Sequence, residues 1–227
     1  MDDLADSLDR ASRFEADRIA LFGYAHVPGM FPRQRQIDAS NLPGNEARFN
    51  MAAMGHDQLV SAGYQAIGFD HFALPGDLLA VTAREGRLRR NFQGFTDDPS
   101  DILIGLGASA ISSFPHLLAQ NEKNSGRYRM IASQDQLAAN RGIRRTADDR
   151  YRAAVVEQLL CQRRAQLGAC LMREASEALR PFLDRGLASV DRQWLDILPE
   201  GLPYARTVAA IFDRYRQPQG RVFSSAV

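Results

Sequence analysis

Arg18-Ile19-Ala20-Leu21-Phe22-Gly23-Tyr24-Ala25-His26-Val27-Pro28-Gly29-Met30-Phe31-Pro32-Arg33-Gln34-Arg35-Gln36 is a short apolar run that stops in a loop of aromatic, imidazole and guanidinium groups. The run predicts a strand over Ile19–Tyr24. Ligands of open α/β folds bind at the carboxyl ends of strands, where this loop would lie. Tyr24, Ala25 and His26 stand at that end. Arg33 and Arg35 follow in the same loop. On extended backbone, residues two apart point to the same side, so two guanidinium groups can face one anion. A solvated basic loop would have the same spacing.

The pattern continues outward. Upstream, Leu4, Leu8 and Ala11 share one side of a helix predicted over Asp3–Phe14. Downstream, residues 27–44 form a long Pro-, Gln- and Asn-containing loop. A helix follows over Gly44–Ala62, with Phe49, Ala52, Ala53 and Leu59 inward and Gly63 as its stop. Tyr64–Phe72 reads as a second strand, with Ile67 and Phe69 on one face and Gly68 and Asp70 on the other. Pro75-Gly76-Asp77 starts a short helix through Arg84. Arg89–Thr96 is extended or looped, and Asp101–Ala108 reads as a third, buried strand. This alternation suggests parallel βα units.

The character changes near residue 130. Thr146-Ala147-Asp148-Asp149 is a capping-box-like start with Asp in place of Glu. It opens a helix to about Arg164. A second helix covers about Met172–Asp184 and ends at Gly186. Leu187–Val190 and Trp194–Leu198 form a hairpin around Asp191-Arg192, and Tyr204–Tyr215 is a last helix. The expected fold class is α/β followed by an α-rich, winged-helix-like part, with domains at 1–130 and 131–227.

Composition narrows the function. The 227 residues are 45% apolar and 24% charged, ordinary for a globular chain with a core. The formal net charge of +1 gives no global field toward nucleic acid or a membrane surface. Of 28 basic residues only Lys123 is lysine. That bias suits bidentate carboxylate recognition, and also base composition in the coding DNA. No apolar run reaches the roughly 20 residues of a membrane span. The acidic start Met1-Asp2-Asp3-Leu4 lacks the apolar segment of a signal peptide, so a cytoplasmic location is expected.

Cys161 and Cys170 argue against a disulfide framework. On one helix, nine residues turn through about 900°, which sets the two thiols on opposite sides. Two cysteines also fall short of the three or four thiolates that hold an iron–sulfur cluster. Zinc-protease, phosphate-loop and nucleophile-elbow motifs are absent.

Three further stretches carry chemistry. In Phe69-Asp70-His71-Phe72, a carboxylate adjoins an imidazole and could form an acid–base pair. Adjacent strand residues point to opposite faces, so a direct hydrogen bond is not assured. Arg84-Glu85-Gly86-Arg87-Leu88-Arg89-Arg90 is followed by Asn91-Phe92-Gln93-Gly94-Phe95. Such a run could hold RNA phosphates and stack bases, or grip a polycarboxylate. The small residues of Gly105-Leu106-Gly107-Ala108-Ser109-Ala110-Ile111 allow close approach by a ligand or tight packing.

Four blocks, Tyr24–Arg35, Gly68–Pro75, Arg84–Thr96 and Gly105–Ile111, resemble one enzyme family in the same order. That family is the oxygen-independent coproporphyrinogen III oxidases (dehydrogenases), radical S-adenosylmethionine (SAM) enzymes of haem synthesis. Tyr24-Ala25-His26-Val27-Pro28 and Asn91-Phe92-Gln93-Gly94 are the most specific parts. They resemble the true oxidase and not the related haem carriers. Arg144-Arg145-Thr146, Gly186-Leu187 and Phe223-Ser224 resemble the family's C-terminal domain.

The resemblance implies the C-terminal part of a partial (β/α) barrel followed by a helical domain. It implies a [4Fe–4S] cluster that cleaves SAM. The resulting 5′-deoxyadenosyl radical takes hydrogen from coproporphyrinogen III propionates, and loss of CO2 and an electron leaves vinyl groups. Ala25 and Ile111 are then SAM contacts, and Gln93 a polar contact near the cavity. Charge and position add Tyr24, His26, Arg33, Arg35 and Arg90 as substrate contacts. The family's Cys-x3-Cys-x2-Cys motif belongs upstream of everything present here. The chain is therefore expected to match the C-terminal half, to begin at an internal Met or a mispredicted start, and to lack activity alone. Its first strand would expose a sheet edge, open to self-association or to a complementary N-terminal half. Two other readings compete: a winged-helix nucleic-acid module, disfavoured by the near-neutral charge, and a SAM-independent porphyrin or haem binder.

Overall fold

A computed structural model describes residues 2–216; the Phe223-Ser224 resemblance lies outside them. The elements run α1 (Asp2–Ser12), β1 (Arg18–Ala20), α2 (Asn45–Ser61), β2 (Gln65–Ile67), β3 (His71–Ala73), α3 (Leu78–Arg84), β4 (Arg89–Arg90) and β5 (Phe95–Thr96). They continue with β6 (Ile111–Phe114), β7 (Leu117–Asn121), α4 (Ser125–Ala132), β8 (Ala139–Arg144), α5 (Ala147–Gln162) and β9 (Arg164–Gln166). The chain then forms α6 (Ala169–Leu183), β10 (Ala188–Asp191), β11 (Trp194–Ile197) and α7 (Ala205–Ala209).

The first sheet has the order β1-β3-β2, with both outer strands antiparallel to β3. β1 and β2 thus run the same way through α2, as a βα unit should, but β3 lies between them and no parallel ladder forms. The predicted strand Tyr64–Phe72 is in fact the β2–β3 hairpin. Gly68 turns the chain at φ +63, and the Phe95 ring lies where a side chain at that position would go. β1 forms one edge of this sheet.

The Asp101–Ala108 strand is not formed. Only Leu103 bridges to Ser113, and Leu106 is 85% exposed. The strand lies later, at β6, in a sheet β6-β7-β8 whose last strand is exposed throughout. Strong helix signals fared better. Thr146 and Asp149 form a reciprocal capping box that opens α5. The β10–β11 hairpin turns through Arg192 at φ +54, and β9 pairs with β11 to complete a winged-helix-like sheet. The last helix is shorter than predicted, because α7 passes into a 3-10 turn that ends at Phe212.

Two apolar clusters hold these parts. Leu8, Leu59, Tyr64 and Phe72 join α1 and α2 to the first sheet. The larger cluster gathers Ile67, Leu79, Leu88 and Phe95 with Val155, Leu159, Leu179, Leu195, Val208 and Phe212. Full burial of such a side chain stabilises by about 1.5–3 kcal/mol. Of the most deeply buried large side chains, all but Leu59, Ile67 and Leu79 lie beyond residue 150. The helical part is therefore the platform against which the β4–β5 hairpin is set.

Candidate active site

Arg89 and Arg90 are fixed from that platform. Glu157 of α5 accepts from Arg89 Nε at 2.9 Å and from the Arg90 backbone N–H at 3.0 Å. The hairpin then turns through Asn91–Gly94, where Gly94 N–Cα adopts φ +145. A methyl group at Gly94 would sit 2.6 Å from His71 Nε2, so only glycine lets the turn lie against the imidazole.

This approach closes a cavity of about 330 Å³, lined by Arg18, Ala20, His71, Asn91, Gln93 and Thr96 among others. Arg18 is committed to structure. It bonds Asp77 at 2.9 Å and Asp97 at 3.0 Å, and Asp77 also caps α3 through Leu79 N–H. Gln93 is tied through its backbone N–H to Asn91 Oδ1 at 2.8 Å.

Asp70 and His71 do meet. Asp70 Oδ1 lies 2.6 Å from His71 Nδ1, and both side chains are largely buried. The sequence left this contact open because strand neighbours diverge. Asp70 belongs to the turn and not to a strand, and the turn swings its carboxylate back to the ring.

Behind the cavity is a pile of rings and cations. The His71 ring meets Phe95 edge-on at 5.3 Å. The Arg90 guanidinium lies 4.6 Å from the Phe95 centroid and 5.1 Å from that of Phe69. Arg206 of α7 lies 5.3 Å from the same Phe69 centroid. Arg90 Nη1 is buried without a hydrogen-bond partner. Burial first, and then the charge of Arg206, pull the Arg90 guanidinium below its usual range, while Asp70 opposes them. Arg206 escaped the sequence reading, since one Arg in an Arg-rich chain carries no signal.

The other predicted site residues form a second group. Tyr24 Oη lies 3.4 Å from His26 Nδ1. Gln34 clamps their backbone, donating to the Ala25 carbonyl at 2.9 Å and accepting from Val27 N–H at 2.6 Å. Arg33 and Arg35 are exposed on a 3-10 turn, Pro32–Gln36. At three residues per turn, residues two apart point about 120° apart, so the shared face expected for these guanidinium groups is lost. Pro32 occupies the first position of that turn, where its fixed φ and missing N–H are tolerated. Ile111 lies on β6, its backbone against Gly105, which gives the Gly105–Ile111 stretch a packing role. Gln93 lines the cavity with His71; Ala25, Ile111, Tyr24, His26, Arg33 and Arg35 do not.

The described residues do not fit an iron–sulfur cluster. Among them no group of three or more His, Cys, Asp or Glu could hold a metal ion. Cys170 is exposed, and burial pushes the Cys161 thiol up to about 12, far from the thiolate that a metal requires. No helix among the described residues is long and apolar enough to cross a membrane.

No protein-family model matches the chain. Known proteins do. The oxygen-independent coproporphyrinogen III oxidase of Bradyrhizobium diazoefficiens is 38% identical over 98% of the chain and 51% of that protein. The protein of the same name from Thermostichus vulcanus is 35% identical over 97% of the chain and 72% of its own length. A solved structure of the Escherichia coli coproporphyrinogen III oxidase, described as a radical SAM enzyme, superposes with a TM-score of 0.85 at 36% identity. That match covers 93% of the chain and 51% of the solved one. The chain thus spans about half the length of most curated relatives it matches, and its fold is that of the corresponding part of a radical SAM enzyme.

Proposed function

The chain belongs to the oxygen-independent coproporphyrinogen III oxidase family, and from that premise we propose that it serves the oxidative decarboxylation of coproporphyrinogen III to protoporphyrinogen IX. Each reacting propionate gives up one hydrogen atom, one electron and CO2, and leaves a vinyl group. SAM, when bound by the complete family enzyme, supplies the hydrogen abstraction. The described residues do not fit the cluster, and none of them takes part in its chemistry in this reading.

In this reading the chain provides walls. Residues 1–130 form the C-terminal portion of the partial barrel, and 131–227 form the helical domain. Ala25, Ile111 and Gln93 are assigned to SAM. Tyr24, His26, Arg33, Arg35 and Arg90 are assigned to the tetrapyrrole. The exposed Arg33 and Arg35 suit carboxylates reached from solvent. Arg90, enclosed by Phe69 and Phe95, acts by holding positive charge behind the cavity. We further propose a cytoplasmic setting, and pairing through β1 with the portion of the fold that this chain does not cover.

The observation that carries the proposal is the structural match over 93% of the chain. The test is to join this chain to the portion of the Escherichia coli relative that it does not cover. The fusion is then assayed anaerobically with SAM for protoporphyrinogen IX. Turnover is expected, with a fall of ten-fold or more in both Gln93→Ala and Arg33→Ala. A fully active fusion indifferent to both changes would remove the site assignment.

A further inference from the structure

The β6-β7-β8 sheet sends no side chain into either apolar cluster, yet it ends in β8, a six-residue edge strand exposed along its whole length. Long edges are normally paired, covered or blunted. β8 pairs on one side only. Arg145, just past it, donates its N–H to the His116 carbonyl at 2.9 Å. Backbone groups alternate sides along an antiparallel strand, so Arg141 and Ile143 also face β7. Gly142 and Arg144 turn their N–H and C=O groups outward, where no described group bonds them.

This edge carries one sign of charge. Residues 116–145 hold six Lys or Arg against two Asp or Glu, in a chain whose net charge is +1. Arg141 and Arg144 are exposed on β8 and form no ion pair among the described residues. Arg145 and Arg150 add charge at its end, where Arg150 donates to His116 Nδ1 at 2.8 Å and to the Arg145 carbonyl at 3.2 Å. Most carboxylates nearby are taken. Glu122 accepts from Asn124 N–H and Asn140 Nδ2, Asp148 from Arg152 and Arg214, and Asp149 from Thr146 and Tyr215. Asp135, in the turn after α4, is the other acid of the stretch. Such an edge rejects a second copy of itself, because like charges would lie across the new ladder. An acidic strand suits it. Neither β7 nor β8 carries an aromatic ring on which bases could stack, which disfavours a nucleic acid. Ile143, 63% exposed between the two arginines, adds an apolar contact that phosphates cannot use.

We propose that β8 is a docking edge for an extended acidic segment of a partner protein, which joins the three-stranded sheet as a further, antiparallel strand. Backbone pairing to Gly142 and Arg144 supplies affinity, and side-chain pairing supplies choice. The register asks for carboxylates opposite Arg144 and Arg141 and an apolar residue opposite Ile143. Along the incoming strand this reads Glu-Val-Thr-Glu. The surface is separate from the tetrapyrrole site and does not rest on it.

The test titrates this chain with a short fluorescein-labelled peptide centred on Glu-Val-Thr-Glu, with its Lys-Val-Thr-Lys twin and with a short oligouridine. Anisotropy gives the affinities, and hydrogen exchange followed by NMR reports the β8 amides. The acidic peptide should bind about ten-fold tighter than its twin, since two ion pairs become two like-charge contacts in the twin. It should also slow exchange of the Gly142 and Arg144 amides. Arg141→Glu combined with Arg144→Glu should reverse the order of the two peptides. Gly142→Pro removes an outward donor at an edge position, where proline is tolerated. A Cβ at Gly142 meets Leu117 Cδ1 at 3.5 Å and the Leu118 carbonyl at 3.6 Å, both ordinary contacts. The sheet should therefore persist while binding falls about ten-fold. If a variant fails to fold, exchange at Gly142 and Arg144 in the unaltered chain decides. No binding, equal binding of the two peptides, or binding without slowed exchange overturns the proposal. Binding that folded Gly142→Pro retains in full does the same, because charge alone then accounts for it. Oligouridine that binds tighter than the acidic peptide makes β8 a nucleic-acid surface and overturns the proposal too.

Discussion

Gly94 adopts φ +145 with no room for a methyl group beside His71. Gly94→Ala is therefore expected to cost about 1–3 kcal/mol in urea unfolding. It should also displace the His71 imidazole, which a 15N-histidine label would report. Arg90 behaves differently. It gains two ring contacts worth about 0.5–2 kcal/mol each, but leaves one buried donor unmet at about 1–3 kcal/mol. These terms offset, so Arg90→Met should change stability by less than about 1 kcal/mol while weakening coproporphyrin binding. A loss above about 2 kcal/mol would mark Arg90 as a structural residue only. Both residues were visible in the sequence as part of one block. Their geometry was not, because neither a positive φ nor a stack between distant rings leaves a local pattern.

Thr146 and Asp149 show how an element can be fully legible. Asp149 accepts from the Thr146 backbone N–H at 2.8 Å, and its own N–H donates to Thr146 Oγ1 at 3.1 Å. Thr146→Ala should lower stability by about 1 kcal/mol. The Asp149 carboxyl is held below its usual value by the Thr146 N–H and hydroxyl and then by the Tyr215 hydroxyl. A depressed value means the contribution is present above the unfolded value of about 3.9 and is lost as pH falls through the folded one. The gap in melting temperature between the unaltered chain and Asp149→Asn should thus be constant above about pH 5 and close under more acid conditions. An unchanging gap down to pH 2 would contradict the assignment. Long helices such as α2 and α5, the latter with its capping box, could be read from sequence because each satisfies most of its own backbone. The β2–β3 hairpin could not. The alternation of Ile67 and Phe69 with Gly68 and Asp70 continues through the turn, and Gly68 faces the ring of Phe95 from a separate hairpin. Asp101–Ala108 has a strand's composition but finds only one bridge, so tertiary pairing overrode propensity there.

At the scale of the molecule, β1 is an edge strand that leads into a segment where Phe22 is 74% exposed, with Met30 and Phe31 also exposed beyond it. Unpaired edges beside apolar surface invite further pairing. Sedimentation of this chain should show mass rising with concentration, and Phe22→Lys should reduce the rise. A monomer at all concentrations would count against that edge as a contact. The larger core has another consequence, which concerns time. Ile67 and Phe95 share a cluster with Val208, and a ribosome adds about 5–20 residues per second. The hairpin thus leaves the exit tunnel about 5–20 s before α7 can cover it. During synthesis, the cavity wall waits uncovered for the last helix to arrive, and that interval is when a chaperone would have its hold on the nascent chain.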